Sequence, residues 1–375
     1  MVKLQNKKAQ IELQFNWIFV IIIGIIIMGF LLSFIFSQGN NNEKKVSASI
    51  ARHFETIITS TNQKIGTVKQ YSIPQVPIEF TCNQNQALYF YSIGDVKSKD
   101  TKYELIFSSK NLLGNKIYTW TEKWAIPYQV ATFLYITNDR EYFSFVESLN
   151  PTSNELDLID NFAINNSLNI INKSSSGFEN LPKPTLNKEK YVFILVKNNQ
   201  LNLPNPKDFI KTPSKNSFII LIDPSKNNIF ENGLIYFLNL EDYEKNYLSG
   251  VFPVEKASPY LGKASLYAGI FAGSKKRYDC GMSKALSRLK LITLMQHEKT
   301  KIVEPLISTS CKSYLIGSDF DEQLWGARLV LENMNKTLSS NILSIPLMNN
   351  LTKDIDQLER LNNKVVIESN CPAIY

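Results

Sequence analysis

The chain has few of the residues on which familiar enzyme chemistries depend. Only two of its 375 residues are histidines, His53 and His297, which starves the usual acid–base and zinc designs. Its four cysteines, Cys82, Cys280, Cys311 and Cys371, lie far apart, and no Cys-x-x-Cys pair points to zinc or to thioredoxin-like redox work. There is no G-x-S-x-G elbow, no Gly-rich phosphate loop and no H-E-x-x-H. Cys280 and His297 fall on one expected helix, about 25 Å apart along its axis, and so cannot serve as nucleophile and base. Asp319, Asp321 and Glu322 crowd a helix start, where the helix dipole accounts for acids without a metal. Asp223 closes an apolar run, but Asp223-Pro224-Ser225 is also an ordinary turn sequence. No catalytic residue, cofactor or metal is therefore expected. Long basic runs are missing as well. The net charge of +7 is spread thinly, and its main cluster, Lys275-Lys276-Arg277, reads as a solvated helix start. Without exposed aromatics beside it, a nucleic-acid partner is not expected.

Long hydrophobic runs are also absent, with one exception. Trp17 to Phe36 carries no charge. At about 1.5 Å of rise per residue, twenty residues reach roughly 30 Å, the thickness of a bilayer's hydrocarbon core. The run is too long for a secretory signal's apolar region and ends in no small-x-small site. It predicts a single transmembrane helix, with Trp17 as an interfacial anchor. Flanking charge does not orient it: Lys3, Lys7 and Lys8 precede it, and Lys44, Lys45 and Arg52 follow.

The approach to the run, Lys7-Lys8-Ala9-Gln10-Ile11-Glu12-Leu13-Gln14-Phe15, resembles the class III signal of archaeal type IV pilins and pilin-like proteins. The resemblance covers about the first 36 residues. It implies cleavage between Ala9 and Gln10 and a body on the outer side of the membrane. The sequence departs from the family at the fifth position after the cut, where pilins carry Glu and this chain carries Gln14. The longer string KKAQIELQFNWIF also resembles the start of single-pass surface proteins of small-genome (DPANN) archaea.

An external body places the cysteines on an oxidising side, where four form two disulfides; four free thiols would instead fit a cytoplasmic body. With a helix from Lys275 to about Lys301, a Cys280–Cys311 bridge needs a return of about 32 Å from roughly ten residues, close to full extension. Cys280 is therefore expected to pair with Cys82 or Cys371. Asn-x-Ser/Thr acceptors occur at Asn165, Asn172, Asn335 and Asn350, a weak signal in an Asn-rich chain.

The fold class expected is α+β, with an N-terminal transmembrane helix, an antiparallel β region, a small α/β layer and C-terminal helices. The divisions are a basic stub (1–16), the span (17–36), a stem helix (37–66), a β-rich region (67–149), a linker-like segment (150–190) and an α/β and helical region (191–375). Ile50, Phe54, Ile57 and Ile58 stand at helical spacing on the stem. Six strand-like runs lie between Ile78 and Val146, with Asn138-Asp139 as a hairpin turn between the last two. Their aromatics, among them Trp120, Trp124, Tyr128, Phe133, Tyr135, Tyr142, Phe143 and Phe145, are read as core rather than a carbohydrate-binding face. Tyr191–Val196, Phe218–Ile222 and Leu234–Leu238 read as strands buried on both faces. Ser258-Pro259 is expected to open a helix over Tyr260–Ala272. Ser318 and Asp321 are expected to cap another through Met334, and Leu351–Leu361 forms the last.

The reading is a single-pass, externally facing protein that binds or scaffolds, with the bilayer and a surface protein or glycan as partners. A processed pilin-like subunit is the alternative, and a membrane-tethered hydrolase a third. Gln14 cannot supply the charge that pairs with a neighbour's new amino terminus. Shearing cells and sedimenting the supernatant is accordingly expected to yield no filaments; regular filaments of a chain beginning at Gln10 would favour the pilin-like reading.

Overall fold

A computed structural model describes residues 20–33, 47–58, 66–146 apart from short breaks, a few positions between 153 and 173, 190–197, 203–206, 217–317 apart from 226–227, 326–340, 343–368, and 371, 373 and 374. Among these residues the architecture is mixed α and β, with three sheets and a set of C-terminal helices. The transmembrane helix expected over Trp17–Phe36 is not supported by the described residues. Among the described residues no helix is long and apolar enough to cross a membrane. Of that run, only residues 20–33 are described, as an exposed helix, α1; at 1.5 Å per residue it reaches about 21 Å.

The expected stem helix is present as α2, residues 47–58. It buries Ile50, Phe54, Ile57 and Ile58, the four residues at helical spacing. Phe54 meets Tyr91 edge-on, ring centroids 5.0 Å apart. Tyr91 belongs to a four-stranded sheet in the order β4 (Val96–Lys97), β3 (Leu88–Ile93), β2 (Ile78–Asn83), β6 (Asn111–Leu112), all antiparallel. A second four-stranded sheet runs β1 (Lys69–Ser72), β7 (Lys116–Ala125), β8 (Gln129–Asn138), β5 (Leu105–Ser108).

This second sheet corrects the expectation of a wholly antiparallel region, because β5 lies parallel to β8. Side-chain alternation explains its central place. Ile117, Leu134, Ile136 and Ile106 face the outer sheet and the stem helix, while Tyr118, Trp120, Phe133, Tyr135 and Phe107 face the opposite way, into the main core.

The third sheet has six strands, β10 (Ile170–Lys173), β9 (Glu141–Val146), β11 (Lys190–Val196), β12 (Phe218–Pro224), β13 (Asn232–Leu238) and β14 (Ala257–Leu261). The first four are parallel to one another, β13 runs antiparallel to β12, and β14 runs antiparallel to β13. Its central strands are buried on both faces, as their continuous apolar runs predict. Val192, Ile194, Ile220, Ile222, Ile235 and Phe237 enter the main core. Phe193, Leu195, Ile219, Leu221, Tyr236 and Leu238 meet a separate cluster under Tyr243 of α3 (Leu240–Asn246) and Phe252.

Three local expectations differ. Asn138 and Asp139 make no hairpin: β8 ends and β9 begins on either side of a corner that carries the chain from one sheet to another. The segment read as a linker supplies strand β10 and two fully buried core side chains, Leu158 and Phe162. Ser258-Pro259 lies in a strand, not at a helix start. A proline is tolerated there because β14 is the edge strand and needs no donor on its outer side.

Helix α4 (Lys263–Ala272) then follows Gly262 and stops at Gly273, whose φ of 60° is left-handed. The long α5 (Lys275–Val303) packs against α4, β5 and β8 on one side and α7 (Ala327–Thr337) on the other. Helix α6 (Thr309–Ile316) and α8 (Ile345–Asn363) complete the set. The sequence reading started α8 too late; Ser344 caps it, accepting from the Leu347 N–H at 3.3 Å, with Pro346 in the first turn. The helix expected from Ser318 begins, among the described residues, only at Ala327; Ser318 to Trp325 lie outside them.

Gly281 lets α5 approach β5, since a Cβ there would collide with the buried ring of Phe107. Alanine gains about 1 kcal/mol of helix propensity, against an overpacking cost of about 1–3 kcal/mol. Gly281→Ala is expected to lower the denaturation midpoint; an unchanged or raised midpoint would show that this contact is loose.

Candidate functional site

Two covalent links frame the body. Cys82 on β2 is bridged to Cys280 near the start of α5, with Cα atoms 6.4 Å apart, and Cys311 on α6 to Cys371, at 5.9 Å. Both separations lie within the usual disulfide range. Cys280 takes one of its two expected partners and avoids Cys311. The first bridge ties the outer sheet to the helix that leans on the main core; the second ties the helical end to the carboxyl-terminal tail.

Four cationic side chains surround one cavity at the corner where β8 gives way to β9. The cavity holds about 460 Å³ and is lined by Ser109, Lys110, Arg140, Glu141, Lys190, Gly273 and Arg277 among others. Each arrives from a different element. Glu141 and Lys190 are opposed residues at the start of two parallel strands. The Lys190 ammonium donates to the Glu141 carboxylate at 3.0 Å, and the Thr137 hydroxyl donates to the other Glu141 oxygen at 2.7 Å. Both oxygens of this nearly buried acid are thereby engaged.

Burial pulls the Lys190 ammonium below the ordinary lysine range, while Glu141 acts in the opposite direction. The same ammonium stands 4.4 Å from the centre of the Phe218 ring. A side chain at residue 273 would crowd Phe218 at 2.8 Å and the Lys190 nitrogen at 3.0 Å, so glycine keeps this wall open. The Arg277 Nε donates to the Ala272 carbonyl at 2.9 Å.

Two members of the lining are unsatisfied. The Ser109 hydroxyl is buried and has no hydrogen-bond partner among the described residues. The Arg140 side chain has no ion-pair or hydrogen-bond partner among the described residues; only its backbone is engaged, the N–H with Asn138 and the carbonyl with Lys190. Chemically the cavity offers donors and positive charge, and its single carboxylate is already used.

A second cavity, about 520 Å³, lies between α8 and the β13–β14 edge, lined by Glu231, Asp356, Glu359 and Arg360 among others. Its carboxylates bear on the hydrolase alternative. Glu231 and Glu359 are exposed and Asp356 half-buried. A smaller apolar cavity of about 250 Å³ adjoins the Cys311–Cys371 bridge.

The remaining residues singled out in the sequence are dispersed. Asp223 is ion-paired with Lys197 at 2.9 Å. His53 is exposed on α2, and His297 lies beside Glu298 at 3.4 Å. Ala9, Gln10, Gln14, Asn165, Asp319, Asp321 and Glu322 lie outside the described residues. Asn350 is exposed on α8, Asn335 is half-buried on α7 with its side-chain oxygen enclosed, and Asn172 is on β10. The aromatic set is core: Trp120, Trp124, Tyr128, Phe133, Tyr135, Phe143 and Phe145 are buried, and Tyr142 stacks on Tyr191 at 5.3 Å.

Sequence reading reached Arg277, though as a solvated helix start, and missed Ser109, Arg140 and Lys190. One signal was available: three cations in the first turn of a helix oppose its dipole. Comparison of the chain with protein-family models, curated proteins and solved structures finds no match in any of the three.

Removing a native disulfide costs about 2–5 kcal/mol, more for longer loops. The Cys82–Cys280 bridge spans 198 residues of sequence and the other 60. Cys82→Ser with Cys280→Ser is therefore expected to lower the unfolding free energy more than the Cys311/Cys371 pair of replacements, as read by denaturant titration; the reverse order would show that strain or residual structure outweighs loop length.

Proposed function

We propose that the chain is a membrane-anchored protein with its α+β body outside the cytoplasm, acting by binding or scaffolding. The observation that carries this reading is the use of all four cysteines in two long-range bridges. Such bonds persist in oxidising compartments and are rare where thiols are kept reduced.

The anchor is the run from Trp17 to Phe36. The described part, residues 20–33, exposes Val20, Ile25, Ile26, Met28 and Phe30 among others, a continuous apolar surface unlike that of a water-soluble helix. A lipid bilayer satisfies it. The partner of the body is a surface protein or a glycan. A class III-processed, pilin-like subunit is the second reading, favoured by the Lys7-Lys8-Ala9-Gln10 approach to the apolar run. A membrane-tethered hydrolase is the third reading, with the cavity lined by Glu231, Asp356 and Glu359 as its candidate site.

Topology decides the proposal. Protease added to intact cells is expected to digest the body, and alkylation without reductant is expected to label none of the four cysteines. Protection of the body until the membrane is opened, together with four labelled thiols, would place it in the cytoplasm.

A further inference from the structure

We infer that the cavity at the β8–β9 corner is a binding site for a small molecule bearing a phosphate or sulfate monoester. This assignment does not depend on which side of a membrane the body faces. Lys110, Arg140, Lys190 and Arg277 bring four positive charges to one cavity, and Glu141 returns one negative charge. Glu79, which Lys110 reaches at 3.3 Å on the exposed side, offsets one more. A surplus remains, and it is placed where the fold makes it unfavourable. The 29-residue α5 begins here, and the partial positive charge of its amino terminus adds to that of Lys275, Lys276 and Arg277. Lys275 is relieved by Asp279 four residues on. Arg140 is not relieved by any described group.

A site that gathers uncompensated like charge gives up stability for what it holds when occupied. An incoming anion would supply the countercharge that Arg140 lacks among the described residues, within reach of the donors of Lys190 and Arg277. The donor set suits an oxyanion with several oxygens. Arg140 offers a planar fork of N–H groups, Lys190 a compact ammonium, and Ser109 a buried O–H with no acceptor among the described residues. The volume, about 460 Å³, exceeds what a bare phosphate or sulfate fills and lies in the range of cavities that enclose small organic ligands. A sugar-sized body attached to the charged ester accounts for the remainder. Gly273 keeps the wall beside Lys190 and Phe218 open, where any side chain would intrude.

The test uses the full chain in detergent, titrated calorimetrically with glucose 6-phosphate, glucose 6-sulfate, inorganic phosphate and glucose. The esters are expected to bind, more tightly than inorganic phosphate, with affinity falling as salt rises; the ratio of the two esters identifies which oxyanion is preferred. Glucose is expected not to bind. Arg140→Ala is expected to weaken ester binding about tenfold or more, the scale of a lost charged hydrogen bond, while leaving the melting temperature of the unliganded protein unchanged or raised. Arg140→Lys should recover part of the affinity. Ser109→Ala should weaken binding less than Arg140→Ala. Equal binding of glucose and its esters, absence of ester binding, or an Arg140→Ala variant that loses stability but keeps its affinity would each overturn the assignment.

Discussion

One helix without a wet face sets the layout of the body. In α4 every residue but Lys263 is buried, and a helix that is apolar all round must be enclosed on all sides. Sheet β1-β7-β8-β5 covers one flank and the six-stranded sheet another, with α5 leaning alongside. Tyr267 meets Trp120 at 4.7 Å, and Phe271 stacks on Tyr135 at 5.0 Å and on Phe162 at 5.6 Å. The polar ends of these rings are routed to the strand–helix junction: Tyr135 donates to the Ala264 carbonyl at 2.8 Å and Trp124 to that of Leu261 at 2.9 Å. Gly269 allows Ile235 of the six-stranded sheet to seat against the helix. The corner between the sheets, and with it the cationic cavity, follows from having to wrap two sheets around one helix.

Legibility followed the physics of each segment. Tyr191–Val196, Phe218–Ile222 and Leu234–Leu238 were readable because double-sided burial leaves an unbroken apolar run. The stem helix was readable from the spacing of Ile50, Phe54, Ile57 and Ile58. The exclusion of a Cys280–Cys311 bridge was readable because helix rise and chain reach are fixed lengths. Ser258-Pro259 misled because a cap followed by proline and an edge strand containing proline look alike until the neighbouring strand is known. The parallel β5–β8 pairing leaves no local mark, since register and direction are settled by tertiary contacts.

The cavity was not legible for a different reason. Ser109, Arg140, Lys190 and Arg277 come from four stretches of chain, and only the fold brings them together. Asn138-Asp139, read as a tight turn, is the bend that delivers Arg140 to this place. Glu141 and Lys190 meet because β9 and β11 start in register, a relation between strands separated in sequence by the segment that had looked like a linker.

The two disulfides also determine how the chain answers a pull. Tension applied at the amino-terminal end reaches Cys82 and crosses directly to Cys280, then runs to Cys311 and crosses to Cys371. Everything between the paired residues lies inside closed covalent loops and carries no tension from end to end. Of 375 residues, only the segments up to Cys82, from Cys280 to Cys311 and after Cys371 can be drawn out in line. The six-stranded sheet, α4 and the cationic cavity sit off that line, so tension between the two ends is not transmitted along the strands that shape the interior.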